Sequence, residues 1–100
     1  MLVLLTAARR SDATVTIHGF GFKPDTLVVA AGTSVVWTNR EEIEHTVTAD
    51  SGTAASFSGV LSGAGKSFRF TFTHAGTFPY GCARHAFMRG VVRVTTTGDH

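Results

Sequence analysis

The sequence predicts an all-β fold, an antiparallel β-sandwich of seven to eight short strands. Three observations predict it. Helical periodicity is absent along the chain, and short apolar or β-branched runs recur with turn signals between them. In the clearest run, Ser67–Thr73, Phe68, Phe70 and Phe72 alternate with Arg69 and Thr71, the period that turns one face of a strand to a core. Phe, Val and the only Trp, Trp37, supply enough apolar volume to fill the space between two sheets.

Taken in order, Ala13–Ile17 alternates and reads as the first strand. Gly19–Asp25 is a turn-rich connection with two apolar anchors, Phe20 and Phe22. Thr26–Ala30 is a β-branched run closed by Ala31-Gly32-Thr33, and Ser34–Thr38 is the strand that carries Trp37. Asn39–Glu44 is a charged loop, and His45–Ala49 alternates again. Asp50–Ala55 turns, Ser56–Leu61 forms a short strand, and Ser67–Thr73 follows. His74-Ala75-Gly76 turns, Thr77–Cys82 is a strand, and Gly90–Thr96 is the last one. The residues between Cys82 and Gly90 are therefore expected to form a loop.

A chain of 100 residues makes about one small domain, expected over residues 11–100. The first ten residues are set apart, as the remnant of a secretory signal or as an edge strand: their apolar run is short, and Arg9 and Arg10 follow it instead of preceding it. One cysteine excludes an internal disulfide. Nine Lys and Arg against seven Asp and Glu give a net charge of +2, too weak for a nucleic-acid partner. No phosphate-binding glycine loop and no apolar run long enough to span a bilayer occurs.

The chemistry concentrates in Cys82-Ala83-Arg84-His85-Ala86-Phe87-Met88, where the only cysteine, a histidine and a methionine follow one another at intervals of three. A thiolate, an imidazole and a weak thioether, joined by one more imidazole, make the donor set of a mononuclear electron-transfer copper site. His45, opening a strand after a charged loop, is the candidate for the second imidazole. Zinc competes for Cys and His, but a thioether is a poor zinc donor. His18 at a strand end, His74 in a turn and the terminal His100 are read without a metal role.

From about Thr14 to Thr96 the chain resembles the cupredoxins, the small blue-copper proteins, and within them the amicyanin and bacterial plastocyanin-like group. The residues that carry the resemblance are Val36-Trp37-Thr38-Asn39-Arg40, His45-Thr46-Val47, Phe70-Thr71-Phe72-Thr73, Ala75-Gly76-Thr77, Tyr80-Gly81-Cys82, His85 and Phe87-Met88-Arg89-Gly90. The resemblance implies a Greek-key cupredoxin sandwich. It implies one copper ion cycling between Cu(II) and Cu(I), with His45, Cys82, His85 and Met88 as ligands. Asn39 would tie the His45 loop to the Cys82 loop. The chain departs from its relatives at Ala83, where a hydroxyl is common, at Arg84 and Ala86, where prolines often flank the histidine, and at Glu44.

The implied function is electron transfer between redox proteins, such as a c-type cytochrome or a dehydrogenase, by a monomeric carrier that is not an enzyme and works in the periplasm or another extracytoplasmic space. A copper-delivery module with the same ligands and a metal-free interaction domain are the alternatives. Docking is expected around the exposed edge of His85, on an apolar patch of Ala86 and Phe87 with Pro79 nearby. Arg84, Arg89 and Arg93 would ring that patch, apart from the acids Glu41, Glu42, Glu44 and Asp50 around His45.

Overall fold

The computed structural model describes residues 12–53 and 55–96; the reading of residues 1–10 and of His100 falls outside them. Within these residues there are nine strands and no helix: β1 (Ala13–His18), β2 (Gly21–Lys23), β3 (Thr26–Ala30), β4 (Thr33–Asn39), β5 (His45–Ala49), β6 (Ser58–Leu61), β7 (Ser67–Phe72), β8 (Gly76–Cys82) and β9 (His85–Thr95). One sheet has the order β2-β1-β4-β7 and the other β3-β9-β8-β5-β6. The predicted sandwich is present, and it differs from the expectation in three ways.

First, both sheets are mixed. β1 runs parallel to β4 and β3 runs parallel to β9, while the other pairings are antiparallel. Parallel neighbours are joined by long excursions through the other sheet, which alternation along a single strand does not record. Second, the connection after His18 contains β2, which folds back on β1 with Phe22 opposite Ile17 and both side chains in the core. Third, β9 begins at His85, not at Gly90, so only Ala83 and Arg84 separate it from β8.

Alternation explains which side chains meet in the middle. Val35, Trp37 and Asn39 form the inward row of β4, with Val15 and Ile17 beside them on β1. Phe72 adds to this face, and Leu61, Phe78, Tyr80, Val92 and Val94 come from the facing sheet. Trp37 is fully buried and packs edge-on to Tyr80 at 5.4 Å and stacked on Phe57 at 5.8 Å. Each such large apolar side chain contributes roughly 1.5–3 kcal/mol by leaving water. Gly90 lies on β9 opposite Tyr80, where a Cβ would come within 2.5 Å of the phenol ring. The tyrosine therefore lies flat over the backbone only because that position has no side chain.

Candidate metal centre

Three adjacent strands deliver the donors. β5 opens with His45, β8 closes with Cys82 and β9 opens with His85. Antiparallel pairing of β5 with β8, through Thr48 opposite Gly81, brings the start of one strand to the end of the other. The hairpin between β8 and β9 does the rest. Gly81 pairs with Arg89, but the next pair is Cys82 with His85, so Ala86, Phe87 and Met88 bulge from β9 without opposite residues. A bulge re-aims side chains that a regular strand would send to alternate faces. The predicted long loop is thus a two-residue turn followed by a bulged strand. Inward alternation resumes at Met88 and continues through Gly90, Val92 and Val94, so Met88 is buried at the head of the core-facing row.

The donor atoms of His45, Cys82 and His85 all lie within 4.8 Å of one another. Cys82 Sγ is 3.9 Å from His45 Nδ1 and 3.5 Å from His85 Nδ1. Donors held ~2.0–2.3 Å from a shared metal ion stand roughly 3.5–4 Å apart, so these separations fit one small ion among them.

Each donor is prepared by its neighbours. His45 is fully buried, and its Nε2–H donates to Glu41 Oε1 at 2.7 Å. A carboxylate only accepts, so Nε2 carries a proton and Nδ1 is the ring nitrogen that faces the sulfur. Burial pushes the Glu41 carboxyl up, but the bonds from His45, Phe20 and Gly19 outweigh it and hold it below its ordinary value. Burial likewise raises the Cys82 thiol. The Thr46 N–H, the two imidazoles and the Arg84 N–H favour its thiolate more strongly, and the thiol is lowered to about 6. The thiolate is the form that binds metal.

Thr46 was not singled out by the sequence, yet it joins the two halves of the site. Its N–H donates to Cys82 Sγ at 3.4 Å, and its Oγ1 accepts from Ala83 N–H at 2.7 Å and bonds with Thr48 Oγ1 at 2.9 Å. Asn39 was expected to make the link to the Cys82 turn. Its amide instead donates to the Ile43 and Leu61 carbonyls and its Oδ1 accepts from Glu41 N–H, so it braces the loop that carries Glu41. No local signal marks Thr46: its reach to Ala83 follows from β5 lying beside β8.

The outer surface also differs from the expected one. Phe87 is 69% exposed beside His85, and Ala86 is exposed with it. Pro79 lies further along β8, opposite Val91. Phe20 takes the place foreseen for it, with its ring centre 5.3 Å from that of His85 and 5.5 Å from that of His45. The arginines do not stand apart from the acids. Arg84 pairs with Glu44 at 3.0 Å and Arg89 with Asp50 at 2.6 Å, because β5 and the β8–β9 hairpin are neighbours.

Comparison with known proteins agrees with this geometry. Residues 10–95 match the family of copper binding proteins of the plastocyanin/azurin type. Amicyanin from Paracoccus denitrificans is 36% identical over 92 residues, covering 88% of this chain and 70% of the relative. The chloroplastic plastocyanin of Physcomitrium patens is 34% identical over 106 residues, covering 92% of this chain and 63% of the relative. The structure of a Cu(I) amicyanin variant superimposes with a TM-score of 0.76 at 31% identity, covering 83% of this chain and 81% of that one.

Proposed function

The chain belongs to the plastocyanin/azurin family of copper-binding proteins, and from that premise we propose that His45, Cys82, His85 and Met88 hold its metal and that electrons pass through the His85 edge. The protein is a type 1 copper electron-transfer protein with a site for one copper ion. The observation that carries the assignment of ligands is the convergence of two Nδ1 atoms on the Cys82 sulfur.

When bound, copper supplies the one-electron Cu(II)/Cu(I) couple. The residues supply the rest. Cys82 presents a thiolate near neutral pH, the form that binds metal. Glu41 fixes the His45 ring in the tautomer that offers Nδ1. Met88 adds a buried thioether, a weak and distant donor in sites of this type. Three neighbouring strands of one sheet hold all four, so the donors need move little when charge changes.

Electron exchange would occur at the half-buried His85, flanked by Ala86, Phe87 and Phe20, in a brief contact with another redox protein. A c-type cytochrome and a dehydrogenase are the partner classes we favour. Arg84 and Arg89 sit at the rim of this face, each already paired with an acid, and adjust the approach of a partner more than they attract it. We read the protein as a carrier without substrate turnover, working in the periplasm or another extracytoplasmic space. Among the described residues no helix is long and apolar enough to cross a membrane.

The test is addition of Cu(II) to the purified apo protein. One equivalent should give an intense thiolate-to-copper band that disappears on reduction and is absent from Cys82→Ala. A colourless product, or colour that survives this substitution, overturns the ligand assignment. Rapid loss of copper to a mild chelator, without reversible reduction, would favour delivery over electron transfer.

A further inference from the structure

Glu41 meets more than His45. Its Oε1 takes the His45 Nε2–H at 2.7 Å, while its Oε2 accepts from the backbone N–H groups of Gly19 at 2.8 Å and Phe20 at 3.3 Å. Gly19 and Phe20 have φ values of 60° and 54°, and Phe20 is the one non-glycine with positive φ among the described residues. A bulky residue rarely adopts this left-handed conformation unless its surroundings hold it there. It turns the Phe20 ring edge-on to both imidazoles, at 5.5 Å from His45 and 5.3 Å from His85, with Phe87 at 6.2 Å. Phe20 is 38% exposed, so its ring lies at the surface over the buried His45 and beside the half-buried His85.

We propose that Glu41 is a positioning residue that couples His45 to Phe20, seating the Phe20 ring as a cap over His45 and against one side of His85. Three N–H donors converge on one side chain, and only an ionised carboxylate offers two acceptor oxygens with no donor. A glutamine has one acceptor: it can serve the imidazole or the β1–β2 turn, but must turn its NH₂ toward the other. The orientation of a buried ring and the conformation of an exposed turn, distant in sequence, thus depend on the same group. The role rests on the copper reading for its purpose, but the coupling itself exists without metal.

The experiment compares wild type, Glu41→Gln, Phe20→Ala and the double variant. In the apo protein, NMR should show the His45 Nε2–H slow to exchange and cross-peaks from the Phe20 ring to His85. Glu41→Gln should lose at least one of the two. Phe20→Ala, a change at a partly exposed position, should keep the protected Nε2–H. In the loaded protein, release of Cu(I) to a chelator should accelerate about tenfold in Glu41→Gln and less in Phe20→Ala, and the double variant should be no faster than Glu41→Gln. Additive acceleration, unchanged release in Phe20→Ala, or persistence of both the protected Nε2–H and the Phe20 cross-peaks in Glu41→Gln would overturn the coupling. A wild type without the thiolate-to-copper band would overturn the copper reading instead, and the apo measurements would still decide the coupling.

Discussion

Around Trp37 and around Cys82 the sandwich buries its side chains to a similar depth, but by different means. The Trp37 region is apolar: rings from both sheets stack and abut, and regular alternation along β4, β7 and β8 brings them there. The Cys82 region is polar, and it forms where regularity fails, at the β9 bulge, at the left-handed turn before β2 and at β5, whose first three residues are all buried. In the first region each side chain contributes separately through area. In the second, donors hold one another in place through Thr46, Glu41 and Asn39, so the loss of one partner strands another.

The largest expected effect tests the apolar side of this contrast. Trp37→Ala should cost about 3–5 kcal/mol through the cavity it leaves, read as a fall in the urea midpoint. The spectrum of the copper-loaded protein below the transition should be unchanged, since the rings Trp37 packs on are Phe57, Phe68, Phe72 and Tyr80 and not the two imidazoles. A large spectral change would mean that the two regions are mechanically one.

A smaller effect is expected from Thr46→Val. It removes the acceptor of Ala83 N–H and should cost about 1–3 kcal/mol, while Thr46→Ser should recover most of the loss. The same variant should act on Cys82 chemistry. In wild-type apo protein, alkylation of Cys82 by iodoacetamide should rise with a midpoint near pH 6, because the thiol is lowered to about 6 from an ordinary value of 9.0. Between those values the unfolded chain binds the extra proton, so the apo protein gains stability as pH rises from 6 to 9 and loses it on acidification. Thr46→Val should move the midpoint upward; an unmoved midpoint would show that the backbone N–H alone holds the turn.

The smallest effect belongs to the rim. Arg84→Gln breaks an exposed pair with Glu44, worth less than about 1 kcal/mol. Its stability should be unaltered, and transfer to an acidic partner should change only at low salt, measured by stopped flow. A change that persists at high salt would place Arg84 inside the contact.

What the sequence disclosed divides along the same line. The strands around Trp37 were legible because alternation is a local property of Phe68, Phe70 and Phe72. The four candidate ligands were legible because Cys82, His85 and Met88 are chemically unusual neighbours and His45 opens a strand. The supports were not. That Thr46 reaches Ala83, that Arg84 meets Glu44, and that Glu41 holds Phe20 depend on which strands and turns lie side by side. Bulging of β9 was equally hidden, since Ala86 and Phe87 carry no turn chemistry that distinguishes a loop from an irregular strand.

The position of β9 has a consequence for biosynthesis. It is inserted between β3 and β8, so the five-stranded sheet has a gap until the C-terminal strand arrives. His45 leaves the ribosome well before Cys82, His85 and Met88, and for that interval the nascent chain holds one of the site's two imidazoles and no thiol with which to trap a metal. Ligand completion and sheet closure then fall on the same late segment, so β9 makes both the fold and the site.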